Sequence, residues 1–114
     1  MQKTVLDIDK CAHILKLLGD KTRLTMIGLL DNNECCVCEF VEIFQLSQPA
    51  VSQHMRKLKD AGLVKERRNG QWVFYALNKE HEVYPLIKAV LNHLPDQKDK
   101  LEALQAKGQR IICE

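Results

Sequence analysis

Between residues 5 and 18 apolar side chains return at helical spacing, at Val5, Ile8, Ala12, Leu15 and Leu18. This pattern predicts an amphipathic helix. Gly19 stops it, and Asp20 is suited to cap a second helix over "KTRLTMIGLL". A polar loop, "DNNE", leads to "CVCEFVEIFQL", where Phe40, Val41 and Phe44 share a helical face. Ser47 can cap a fourth helix, "QPAVSQHMRKLKDAG", whose Pro49 falls in the first turn, where a missing N–H costs nothing. Val51, Met55 and Leu58 form its apolar stripe, and Gly62 ends it.

The period then changes from helical to two. "LVKERR" and "QWVFYAL" flank Asn69-Gly70, and an Asn-Gly pair between strand-like runs predicts a hairpin. Helical spacing returns in "YPLIKAVLNHL", with Pro85 in its first turn, and Asp96 can cap a last helix, "QKDKLEALQAK", closed by Gly108. Two short helices around a tight polar turn at Ser47, followed by a two-stranded ribbon, make a winged helix-turn-helix. The predicted class is therefore mainly α with a small β-hairpin. Residues 1–95 form the winged-helix unit and residues 96–114 a C-terminal helix and tail.

Composition adds limits. A chain of 114 residues, 46% hydrophobic and 28% charged, is one domain with a modest core. No apolar run approaches the ~20 residues that span a membrane, and "MQKTVLDIDK" lacks a secretory apolar region. The expected location is the cytoplasm, with no membrane partner.

Charge changes the picture more. Net charge is +2, yet residues 48–71 hold six basic and two acidic side chains. A basic segment in a nearly neutral chain points to an anionic partner. With the apolar stripe of the fourth helix facing the core, Gln48, Ser52, Gln53, His54 and Arg56 are available near its N-terminal half, beside Ser47. Such side chains read base edges, and a recognition helix enters the major groove by its N-terminal residues. Lys65, Arg67, Arg68 and Gln71 on the hairpin are placed for phosphates or a minor groove. The expected partner is double-stranded DNA.

The five cysteines are the candidate chemistry. Three fall in "ECCVCEF", at Cys35, Cys36 and Cys38, with Cys11 and Cys113 near the ends. In a reducing compartment an odd, clustered set reads as metal-binding or redox-active rather than as disulfide staples. Buried cysteines can also be plain packing residues. Soft thiolates select arsenite, antimonite, cadmium, lead or zinc over hard ions. On a regular helix residues i and i+2 point roughly 200° apart, so joint use of Cys36 and Cys38 predicts an opened or distorted first turn. A helix N-terminus is also expected to lower the thiol pKa.

"DKTRLTMIGLL", "ECCVCEF" and "LSQPAVSQHMRKLKDAGLVKERRNGQWVFYAL" together resemble the arsenical-resistance (ArsR-type) metalloregulatory repressors, over roughly residues 8–94. The resemblance implies a homodimer, paired through the first and fifth helices, that binds an inverted-repeat operator and leaves it when an inducing ion binds. It gives Leu86, Ile87, Val90, Leu91 and Leu94 a partner surface. The family's thiol signature maps onto Glu34, Cys36, Val37, Cys38 and Glu39, with Cys35 where Leu is usual. The third ligand that some relatives place three residues on is Val41 here, which leaves Cys35, Cys11 and Cys113 as candidates. The family's second site, for zinc, is not matched: Lys79 replaces the acidic ligand before His81, and His93 is one residue too far along. The implied inducer is arsenite or antimonite, with Cd(II), Pb(II) or Zn(II) as the alternative and a thiol-redox switch as a second one. A thiol oxidoreductase is disfavoured, since the pair is CxC rather than CxxC. The chain is not expected to be an enzyme.

Overall fold

The computed structural model describes residues 6–106. Val5, Gly108 and Cys113 lie outside them. Nine elements follow one another: α1 (Ile8–Leu18), α2 (Lys21–Leu30), β1 (Cys35–Cys36), α3 (Val37–Phe44), α4 (Gln48–Asp60), β2 (Val64–Asn69), β3 (Trp72–Leu77), α5 (Tyr84–Leu91) and α6 (Lys98–Ala106). No described helix is long and apolar enough to cross a membrane.

Caps set the boundaries as the side chains dictate. Asp7 accepts the Lys10 N–H at the start of α1, and Asp20 accepts the Arg23 N–H at 3.0 Å to start α2. Ser47 accepts the Ala50 N–H at 3.2 Å to start α4. Each satisfies a donor that the first helical turn leaves orphaned. Between α3 and α4 the chain turns at Gln45 in the left-handed region, φ 54°.

Around α2 the core is thickest. Met26, Ile27, Leu29 and Leu30 are buried, and Phe40, Val51, Met55, Leu58 and Ile87 close on them. α6 lies along α3, and its Leu101 and Leu104 are buried. The α1 stripe departs from expectation. Ile14, Leu17 and Leu18 make the core contacts, while Ile8 is 82% exposed and Leu15 50%. On α5, Ile87 is buried in its own protomer, so it is not free to face a partner as expected, while Leu94 remains exposed.

The hairpin forms with a shifted turn. Asn69 pairs with Trp72, so the turn residues are Gly70 and Gln71, not Asn69-Gly70. A positive φ at Gly70 alone, +61°, fits a type II′ turn, which takes Gly first. The sheet also has a strand the sequence pattern did not predict. Cys35–Cys36 pair antiparallel with β3, Cys35 opposite Tyr75 and Cys36 opposite Phe74, in the order β1-β3-β2.

Candidate functional site

Helix α4 shows its chemistry by rotation. At about 100° per residue, the buried Val51, Met55 and Leu58 leave Pro49, Gln53 and Arg56 pointing directly away from the core. Ser52 is half-buried beside them, and Gln48 is exposed on the side facing the hairpin. These residues form a polar, cationic ridge along the helix, with Ser47 exposed at its capped end.

His54 turns elsewhere. Its Nδ1 lies 3.2 Å from the Arg23 guanidinium, which also donates to the Leu17 carbonyl at 2.7 Å. Arginine has only donors, so Nδ1 accepts and the imidazole is neutral. Burial and the neighbouring Arg23 and Lys57 charges hold His54 below the usual histidine range, against the pull of Asp20. Through Arg23, His54 fastens α4 to the end of α1. Sequence reasoning missed Arg23, which offered only one more charge beside Lys21 in the polar first turn of α2.

Arg67 is likewise engaged within the chain. It forms a two-pronged ion pair with Glu34, at 2.9 and 2.6 Å, and its guanidinium lies 4.8 Å over the Phe74 ring. That hydrogen bond holds the Glu34 carboxyl below its ordinary range. Arg67 thereby anchors the hairpin to the segment leading into β1. Lys65 and Arg68 are the more exposed hairpin cations, at 58% and 70%, in loose pairs with Glu80 and Glu66. Glu66 also accepts from the Tyr75 hydroxyl at 3.1 Å and from Lys59 of α4, linking the recognition helix to the hairpin. Gln71 is exposed in the turn.

The thiols come together without any opened helical turn. Cys36 is not in α3 but caps it, with extended backbone (φ −80°, ψ 148°), and this swings its sulfur to 2.8 Å from that of Cys38. The expected distortion is thus built into the fold by the pairing of β1 with β3. Glu39, itself buried, accepts the Cys36 N–H at 2.8 Å and fixes the cap.

The expected fall in thiol pKa is reversed. Burial, the hydrogen bond to the Cys36 sulfur and the charges of Cys36 and Glu39 push the Cys38 thiol up to about 12. The Glu39 backbone amide at the helix start pulls the other way and is outweighed. Cys38 is half-buried and Cys36 nearly fully buried.

Both line a cleft of about 320 Å³ with Val37, Val41, Gln48, Gln71, Trp72 and Val73. The thiol pair, the first residue of α4 and the tip of the hairpin therefore share one space. Cys35 does not: strand alternation turns it into the core beside Tyr75, at 0% exposure. Cys11 sits half-buried on α1, away from the cleft lining. Among the described residues no three His, Cys, Asp or Glu side chains converge on one metal position. His81 accepts the Val83 N–H at 3.0 Å and packs on Gly62, a structural use. His93 is exposed just past α5.

Known proteins share this architecture. The family model for bacterial regulatory proteins of the arsR family matches residues 20–66. The arsenical resistance operon repressor of Staphylococcus aureus is 37% identical over 100 residues, covering 88% of this chain and 85% of that protein. An arsenic resistance transcriptional regulator of Pseudomonas putida is 44% identical over 68 residues, 59% of this chain and 53% of that protein, so the match spans about half of its length. Among solved structures, reduced HlyU from Vibrio cholerae superposes with a TM-score of 0.65 at 36% identity, over 72% of this chain and 85% of that one. Capped recognition helix, basic hairpin and family match agree: the chain belongs to the arsR family of bacterial regulators and is a winged-helix, DNA-binding transcriptional repressor, not an enzyme.

Proposed function

We propose that this repressor controls a metal(loid)-resistance operon in the cytoplasm, binding an inverted-repeat operator as a homodimer and leaving it when arsenite or antimonite engages Cys36 and Cys38. The observation that carries the reading is the 2.8 Å separation of the two sulfurs inside a cleft that also holds Gln48 and Gln71. Two soft donors brought side by side can converge on one thiophilic ion with a small adjustment of either side chain. The similar proteins named for arsenic resistance support arsenite first.

The coupling follows from who lines the cleft. Gln48 opens the recognition helix and Gln71 tips the hairpin, and both are candidate DNA contacts. Their positions on DNA and around an occupied thiol pair need not coincide, and an inducer shifts the equilibrium only by such a difference in affinity. The remaining DNA contacts proposed are Ser47, Ser52, Gln53 and Arg56 on the helix side, with Lys65 and Arg68 on the hairpin. The exposed Ile8 and Leu15 of α1, with Leu94 after α5, supply an apolar surface for the second protomer.

The test is induction in serine variants. Cys36→Ser and Cys38→Ser keep operator affinity within about twofold and lose release by arsenite, at a coupling typically worth ~1–3 kcal/mol. Replacing Cys11 and Cys113 singly shows whether either adds a third sulfur. Release by arsenite from both serine variants as from wild type would sink the proposal. Release by cadmium, lead or zinc alone would favour the divalent alternative, and a response to peroxide alone would favour the redox one.

A further inference from the structure

We infer that the cleft between α1 and the side of α4 turned away from the hairpin seats a backbone phosphate of bound DNA, held by Lys16, Lys57 and Arg23. This rests on the reading above that α4 enters the major groove by its Gln53 ridge. Rotation about α4 places the cleft. At about 100° per residue, Gln48, Ser52 and Lys59 turn from that ridge towards the hairpin. Lys57 and His54 turn the opposite way, towards α1 and the start of α2. A duplex that takes the ridge in its major groove, about 12 Å wide, has a sugar-phosphate backbone on each side of it. The hairpin cations Lys65 and Arg68 lie towards one backbone. A cleft of about 410 Å³, lined in part by His13, Lys16, Arg23, Lys57 and Asp60, flanks the other.

The cations of this cleft are open to a ligand. Lys59, Lys65, Arg67 and Arg68 each meet a carboxylate within the protomer. Lys16 and Lys57 are exposed and meet none among the described residues. Arg23 is held in place, its side chain 13% exposed, by the Leu17 carbonyl at 2.7 Å and His54 Nδ1 at 3.2 Å. A guanidinium has five N–H donors, so these bonds fix its plane and leave donors for the cleft. Asp20 lies a loose 3.9 Å away. A group ordered before binding loses little freedom on binding. Among the lining residues Asp60 is the one carboxylate, against three cations, so the cleft favours an anion. Such a contact reads no sequence but fixes how α4 lies in the groove. It also ties α1, the helix that carries the exposed Ile8 and Leu15, to the DNA.

The test scans a duplex, selected for binding from a randomised pool, with single methylphosphonates that remove one phosphate charge at a time. For wild type, sensitive phosphates should fall on both sides of the major groove, each neutralisation weakening binding about tenfold. Lys16→Gln with Lys57→Gln should abolish the penalty on one side only, and Lys65→Gln with Arg68→Gln on the other only. In the first pair the slope of log affinity against log salt should drop by about one per bound protomer. Urea denaturation checks that this variant folds as wild type does. If its midpoint falls, Lys16→Gln alone takes its place in the same scan. Unchanged sensitivity at every phosphate, or an unchanged salt slope, overturns the inference and leaves DNA binding by α4 and the hairpin standing. Loss of sensitivity on both sides at once also overturns it, since the lysines would then act only through overall charge. Base preference unaltered by Gln53→Ala would overturn it together with the ridge reading.

Discussion

His54 shows how a side chain can be well placed in sequence and differently used in the fold. It stands on α4 among the residues proposed to meet DNA, but its ring accepts from Arg23, and that bond needs the neutral imidazole. Its pKa is held below the ordinary 6.5, chiefly by burial. The unfolded chain therefore takes up a proton first as pH falls. The contribution of His54 to stability is complete above about 6.5, declines as pH drops below that value, and levels off once the folded protein is protonated as well. Thermal denaturation between pH 5 and 7.5 should show this slope in wild type and a flatter one in His54→Gln. An unchanged slope in the variant would mean that another group titrates. Sequence alone could not single out Arg23 from the neighbouring Lys21, because its three partners come from α1, its own cap and a helix thirty-one positions away.

Elements were legible where local chemistry sets them and obscure where distant pairing does. The caps at Asp20 and Ser47, the end of α4 at Gly62 and the hairpin itself follow from residues within a few positions of one another. The start of α3 does not. Cys35 and Cys36 become strand because β3, some forty residues later, offers them an edge. That non-local pairing is what brings the two sulfurs together. The turning glycines give a graded prediction at this scale. Gly70 has φ +61° with nothing within 4 Å of an added Cβ, so Gly70→Ala should cost only the backbone strain of a side chain at positive φ, ~1–3 kcal/mol. Gly62 has φ +79°, and an added Cβ would meet the His81 ring at 3.0 Å. Gly62→Ala should therefore be the more destabilising of the two in urea denaturation. Equal midpoints would show that the His81 ring moves aside freely.

For the whole molecule, the question is why α1 carries apolar side chains that its own core does not use. The sequence stripe marked Ile8, Leu15 and Leu18 as one face, but periodicity cannot tell a core face from a face kept for a second copy. The fold separates them: Leu18 turns inward, while Ile8 and Leu15 stay exposed. Because Leu15 is half-exposed in the protomer, Leu15→Glu should leave protomer stability within about 0.5 kcal/mol, as surface changes usually do. A charge buried at a symmetric interface meets its own copy and is unpaired, so the dimer should be lost. Sedimentation of wild type without inducer should give twice the 13.1 kDa protomer mass, and the variant should give the protomer. DNA binding should change in a matching way. A dimer presents the basic segment twice, and the slope of log affinity against log salt scales with the phosphates neutralised. The variant should bind more weakly and with about half the wild-type slope. A variant that stays dimeric, or keeps the full slope, would move the interface off α1 and leave its exposed leucine and isoleucine without a role.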